Sequence, residues 1–391
     1  MSHPPEPDQP SRGAAGEGAH VIDADGTRRL DFVLGHGAHI LGHRPAQVGE
    51  ALRLQAERGS APELVAGLEE ELARRIRAAL PGVEMVRFVS SETESQLMAI
   101  LIARSVTGRP LVVTCAEVLH GRAVPPTAGV QGASASVVGV AYNSAEAAGE
   151  MFARHPGEIA ALVVNPVGTG TGCVPPVPGY LQELRRITRE HGALLIVDEV
   201  ATGFRVAYGG AQTLYGVDAD LTCLGRVIGG GFPLGACGGR RGLLERVATI
   251  DSLKGVGDLS GSPRAMAAGI AVLDELGGGD AYARMESLGS RLADGLLTAA
   301  VAASVPCAVN RVGSILTVYP GVERVDDGES ARRADPERFA RLHRAWSDAG
   351  VIWPRSQFES AFLSTAHEVA DIDRAVSAFA GALRARASGP A

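Results

Sequence analysis

The stretch LLIVDEVATGFRVAYGGAQTLYGVDADLTCLGRVIGGG, residues 194–231, decides the fold. An apolar run ends in an acid, Asp198, and a second apolar run, Leu221–Leu224, ends in a glycine-flanked cation, Arg226. Short apolar runs of this kind read as buried strands of a mostly parallel sheet, where ligands sit in the crevice outside the strands' carboxyl ends. Asp198 and Arg226 are thereby expected to face one crevice.

Outward from this stretch, strands and helices alternate. Further strands are expected at Met85–Val89, Leu111–Cys115, Ser136–Ala141 and Ile159–Val164, and helices near Thr93–Arg104, Ala145–Arg154 and Gly179–Glu190. Ser60 and Pro62 open a helix in which Leu64, Leu68, Leu72, Ile76 and Leu80 recur every four residues, a stripe suited to packing on a sheet. The fold class is therefore α/β: a large domain with a mostly parallel sheet flanked by helices, plus a smaller discontinuous α+β domain. Residues 1–17, rich in Pro, Gly and polar groups, read as a mobile tail. The hairpin VIDADGTRRLDFV, with Asp25-Gly26 as its turn, assigns 18–50 to the small domain and leaves 51–262 as the large one. Residues 263–391 supply a connecting helix at Pro263–Leu276, then helices at Ala281–Ala303, Pro336–Ala349 and Val369–Ala387 around strands at Ile315–Tyr319 and Val351–Trp353.

The 391 residues, 46% hydrophobic, are enough for a large core. A formal charge of −7 offers no general attraction for nucleic acid, and no uncharged apolar run is long enough to suggest a membrane span. Five scattered cysteines, Cys115, Cys173, Cys223, Cys237 and Cys307, show no CxxC, and no histidine cluster has metal-ligand spacing. A reduced, cytoplasmic protein without a metal site is expected. The sequence holds a single lysine, Lys254.

From Asp198 to Arg241 the chain resembles the class III, fold-type I aminotransferase superfamily, which uses pyridoxal 5′-phosphate (PLP), and within it the glutamate-1-semialdehyde 2,1-aminomutase branch. EMVRFVSSETES at Glu84–Ser95, HGALLIVDEV at His191–Val200, DLSGSPRAMAAG at Asp258–Gly269, VNRVGSILT at Val309–Thr317 and SQFESAF at Ser356–Phe362 extend the likeness from about residue 18 to the C-terminus. The resemblance implies that Asp198 pairs with the cofactor's ring nitrogen and that Val200 packs on the ring face. Read alone, Asp198 could also cap a helix and Val200 could be core.

The departures from the family pattern carry the functional reading. The usual Ser-Gly-Thr-Glu phosphate motif reads Ser91-Glu92-Thr93-Glu94, and the threonine expected to reach a phosphate across a dimer interface is replaced by Asp258. Two acids are thus brought toward the phosphate region, unless both turn to solvent. Like charges about 4 Å apart at an effective dielectric of 20 repel by roughly 4 kcal/mol, so weakened PLP binding is expected. The stacking aromatic before His120-Gly121 is Leu119, and Gly170 stands where the family has an asparagine. Arg226 occupies the position of the Schiff-base lysine. A guanidinium stays protonated and cannot supply the amine of an internal aldimine, although it can clamp carboxylates. Glu359 matches the acid of the aminomutase branch, and Lys254 is either a surface residue or an amine reaching in from across a dimer.

Three readings follow. The first is an enzyme with a remade pocket in which Arg226, His120 and Asp198 act on a small-molecule ligand lined by Ser91, Glu92, Thr93, Leu119, Gly121, Val200, Asp258 and Glu359, without ordinary transamination. The second is a non-catalytic member, homodimeric or paired with an active homologue, its site having decayed. The third is a conventional PLP-dependent aminotransferase or aminomutase.

Overall fold

The computed structural model describes residues 13–59, 61, 66–115, 137–246 and 262–384. Strands β1 Gly13–Glu17, β2 His20–Asp23 and β3 Arg28–Asp31 form a meander. The polar N-terminal stretch expected to be a tail to residue 17 therefore contributes an edge strand, because backbone pairing of Ala15 and Gly16 with Ile22 and Val21 needs no apolar side chains. After a short turn, α1 Leu34–Gly37, whose backbone is left-handed at all four residues, come α2 Ala46–Arg58 and α3 Ala66–Ala79. Leu72, Ile76 and Leu80 of the expected stripe are buried, whereas Ser60, Pro62 and Leu64 lie outside the described residues.

The large sheet is built from β4 Met85–Val89, β5 Leu111–Thr114, β6 Val137–Gly139, β7 Ile159–Val164, β8 Leu194–Asp198, β9 Leu221–Leu224 and β10 Gly235–Gly239. Its order is β4-β10-β9-β8-β7-β5-β6, and β10 runs antiparallel to both neighbours while the other pairings are parallel. β5, β7 and β9 are buried along their whole length and β8 at every residue but Leu194, as expected for strands covered on both faces. The covering helices are α4 Glu92–Thr107, α5 Ala145–Arg154, α6 Tyr180–Glu190 and the shorter α7 Gly210–Tyr215 and α8 Arg241–Leu244.

β10 was not anticipated. Its sequence, GACGG, has low strand propensity, yet it lies between β4 and β9 because its neighbours leave no room for side chains. A Cβ at Gly235 would stand 2.2 Å from the carbonyl oxygen of Ser91. Glycine is what lets this strand and the start of α4 touch.

The connecting helix α9 Pro263–Gly277 leads to α10 Ala281–Ala302, the hairpin β11 Cys307–Val312 and β12 Ile315–Pro320, a short α11 Gly328–Arg332, α12 Pro336–Asp348, β13 Val351–Ile352, β14 Ala361–Phe362 and α13 Val369–Arg384. The last three residues of the expected terminal helix fall outside the described residues. β13 pairs in parallel with β3, which draws the N-terminal meander into this part of the molecule. Their shared core stacks Trp346 on Trp353 with ring centroids 4.1 Å apart and sets Phe32 5.1 Å from Trp353. Among the described residues, no helix is long and apolar enough to cross a membrane.

Candidate functional site

β8 and β9 end side by side, and the start of α4 lies against the same edge. Asp198, the last residue of β8, is buried. Its Oδ2 accepts from Gln96 Nε2 of α4 at 2.7 Å and its Oδ1 from the Val200 N–H at 3.0 Å. A buried carboxylate needs such donors to stay ionised cheaply. Gln96 had no place in the sequence reading. Its signal was a lone amide opening the apolar run QLMAILIA, a polar group that folding into α4 had to partner.

Arg226 begins a 3₁₀ turn that runs to Gly229, with φ at +48°. A non-glycine residue in this left-handed region is uncommon and costs about 1–2 kcal/mol. Its side chain is only 13% exposed. Nη1 donates to the His36 carbonyl oxygen at 2.8 Å, and Nε stands 3.6 Å from Oε1 of Glu92. Of the acids expected to pair with Arg226, the structure thus brings in Glu92; Asp198 is taken up by Gln96 and Val200, and Asp258 lies outside the described residues.

Ser91 caps α4, its Oγ accepting from the Glu94 N–H at 3.2 Å, so its hydroxyl is used by the helix itself. Glu92 is the first residue of α4 and is partly buried. Burial pushes its carboxyl above the usual range; Arg226 pulls it down, and the nearby Asp198 raises it again. Thr93 is exposed on the first turn. Val200 is buried in the apolar cluster with Val89, Met98, Ile196 and Cys223, which gives it a core role whether or not a ring lies over it. His120, Leu119, Gly121 and Lys254 fall in segments outside the described residues.

In front of Arg226 is a cavity of about 80 Å³ whose lining includes His36, Thr169, Arg226, Glu359 and Ser360. It shares the His36, Pro354 and Glu359 walls with a larger cavity of about 440 Å³ that carries Arg29, Asp31, His343, Trp353 and Arg355. Glu359, exposed, accepts from the Arg355 N–H at 3.1 Å through Oε2. Gly170 follows Thr169 of the smaller cavity's lining, in the turn between Gly168 and Val174. His36 and Ser360 were not singled out beforehand. His36 serves Arg226 through its backbone carbonyl, for which side-chain identity gives no sign.

The segment bearing His36 is held from two sides. Asp31 accepts from the Val33 and Leu34 N–H groups at 2.7 and 3.1 Å, and its Oδ2 is 2.8 Å from His43 Nε2. Burial raises the Asp31 carboxyl, but the hydrogen bonds from His43, Leu34 and Val33 outweigh it and leave the group below its usual range. Arg205, wholly buried, donates to the carbonyls of Gly37 and Leu363 and to Ser314 Oγ, and burial holds its pKa down to about 9. Together they fix the carbonyl to which Arg226 is tied.

The residues present do not fit a PLP held through an aldimine at position 226. That position carries a guanidinium already bonded internally, and the first turn of α4, where a phosphate would seek N–H donors, carries an acid, Glu92, whose carboxylate lies beside Arg226. Glu92 also packs tightly: a Cβ on Gly225 would meet its Cγ at 2.7 Å. Asp198, by contrast, is a buried acid at a strand end, a place compatible with the ring-nitrogen role that the resemblance implies. Among the described residues, no group of three His, Cys, Asp or Glu could hold a metal ion.

Comparison with known proteins places this geometry. The sequence model of the aminotransferase class-III family matches residues 8–357. The glutamate-1-semialdehyde 2,1-aminomutase of Thermomicrobium roseum is 44% identical, over 98% of this chain and 93% of its own length. An omega-transaminase from Sphaerobacter thermophilus superposes with a TM-score of 0.86 at 32% identity, covering 97% of this chain and 92% of that one. A glutamate-1-semialdehyde aminomutase from Pseudomonas aeruginosa gives 0.84 at 25% identity, covering 95% and 86%. The fold is that of fold-type I aminotransferases, and the chain belongs to the class-III aminotransferase family.

Proposed function

We propose that this protein binds and acts on a small carboxylate-bearing molecule in the cleft before Arg226, without lysine-dependent transamination. One observation carries the reading: the Arg226 guanidinium is anchored at Nη1 and Nε, while Nη2 has no hydrogen-bond partner among the described residues and the side chain lines a cavity. A guanidinium held at two of its nitrogens is preorganised to donate from the third to a carboxylate. Glu359 and Ser360 on the same wall would orient the rest of the ligand, and Glu92, with its raised pKa, is a group able to hold a proton beside the guanidinium.

The test is a panel of small mono- and dicarboxylates scored by thermal shift and calorimetry against the wild type and Arg226→Gln. Binding that Arg226→Gln abolishes supports the reading. An aldimine absorbance appearing when PLP is added to the wild type would sink it.

A conventional PLP-dependent aminotransferase or aminomutase is the second reading. It is supported by the names of the relatives, by 44% identity over nearly the whole chain and by the retained Asp198. The comparisons favour this reading over a remade pocket; the chemistry of Arg226 opposes it. Because the sequence holds one lysine, an aldimine on a side chain would have to form at Lys254, and borohydride reduction followed by peptide mapping decides the matter.

A further inference from the structure

We propose that Glu92 and Arg226 work as one unit that closes the cofactor cradle, so that reverting either alone leaves it closed and reverting both opens it. Three observations support this. The two side chains pair, with Nε 3.6 Å from Oε1. Glu92 fills the space over Gly225, where a Cβ would lie 2.7 Å from its Cγ and 3.3 Å from its Cδ. Arg226 and Asp198 both act electrostatically on the Glu92 carboxyl, Arg226 lowering and Asp198 raising its pKa, so the pair and the strand-end acid belong to one charge cluster.

The consequences of single reversion follow from charge. With Arg226→Lys alone, the new amine sits beside the Glu92 carboxylate. It is held as an ion-paired ammonium, the form that cannot attack an aldehyde. With Glu92→Gly alone, the start of α4 is freed for an anion, yet position 226 still offers no amine. The double variant removes the carboxylate and supplies the amine together. Groups in direct contact are where such non-additivity is expected.

The proposal concerns the described half of the cradle and rests on the reading that the wild type forms no aldimine. The experiment is a double-mutant cycle on the full chain: wild type, Glu92→Gly, Arg226→Lys and the double variant, each titrated with PLP. Readouts are aldimine absorbance, the shift in melting temperature, and borohydride trapping with peptide mapping. Glu92→Ala runs beside Glu92→Gly to separate loss of the carboxylate from helix weakening. The expected result is an adduct at position 226 in the double variant, with PLP affinity at least about ten-fold above the product of the two single gains. Equal gains by Arg226→Lys alone and by the double variant would overturn the proposal, as would a double variant that binds no better than its parents. An adduct in the wild type would instead overturn the functional reading, so the two failures are distinguishable.

Discussion

Gly225 and Glu92 are in contact across the gap between β9 and α4, at a separation that leaves no room for a methyl group on the glycine. The backbone of Gly225 is extended, with φ at −171°, a conformation open to any residue. Space alone therefore demands glycine here, and the demand comes from the Glu92 side chain.

That relationship predicts a context-dependent cost for Gly225→Ala. In the wild type the new methyl must displace Glu92, and overpacking of this kind costs about 1–3 kcal/mol. In a Glu92→Gly background the obstacle is gone and the cost should fall to about 0.5 kcal/mol or less. Denaturant midpoints of the four proteins measure the coupling. Equal costs in the two backgrounds would mean that Glu92 does not occupy that space in solution.

The part of the site legible in the sequence was the part written in side chains at strand and helix ends. Asp198 follows four apolar residues and Arg226 follows a buried strand, so each could be placed at a crevice, and Glu92 by its position before a helix. What escaped were partners chosen by the fold. The carbonyl of His36 meets Arg226 from 190 residues away, and Gln96 meets Asp198 from 102. β10 escaped for a related reason: its glycines are dictated by Ser91, Val83 and Asp220 on neighbouring elements. α2, moderately amphipathic and Arg/Glu-rich, was also passed over. The other strands of the large sheet, mostly apolar, were recovered within a residue or two of each end, β6 being the one most shortened.

His367 predicts how stability responds to acid. It is fully buried, with Nδ1 2.9 Å from Ser364 Oγ and its ring 4.7 Å from Phe32. Burial drives its pKa down to about 4; Asp371 and Asp31 oppose the shift, and His20 and Arg205 add to it. The unfolded chain binds a proton near pH 6.5, whereas the folded one does so only near 4. The folded state thus binds fewer protons between these values, and stability must fall as pH drops through that window. The contribution, at about 1.4 kcal/mol per pH unit, is complete above pH 6.5. Urea midpoints from pH 7.5 to 4.5 should decline less steeply for His367→Gln than for the wild type. Parallel curves would refute the assignment.

Trp346 should be among the costliest residues to truncate. It is wholly buried, stacks on Trp353, lies 5.7 Å from Phe379 and donates from Nε1 to the Ala375 carbonyl at 3.0 Å. Trp346→Ala opens a large cavity and leaves that carbonyl without its indole donor, at an expected cost of about 3–5 kcal/mol. Trp346→Phe keeps most of the packing and should cost clearly less. Chemical denaturation ranks the two; because both variants lose the indole donor, equal costs would mean that the hydrogen bond, rather than packing, dominates.

Arg205 couples stability to the site. Its guanidinium reaches Gly37, Ser314 and Leu363, three segments far apart in sequence, and stands 5.6 Å from the Phe362 ring centroid. Gly37 follows His36, whose carbonyl anchors Arg226. Arg205→Ala leaves several buried acceptors without this donor and should cost about 3 kcal/mol or more. Arg205→Lys keeps a cationic donor but not the planar fork that spans separate acceptors, so it should rescue only part of the loss. If Arg205 acts on the cleft through the His36 segment, carboxylate binding should weaken in Arg205→Lys even at temperatures where that variant is fully folded, as judged by near-UV circular dichroism. A folded Arg205→Lys protein with wild-type carboxylate affinity would confine Arg205 to stability and leave the positioning of His36 to Asp31 and its neighbours.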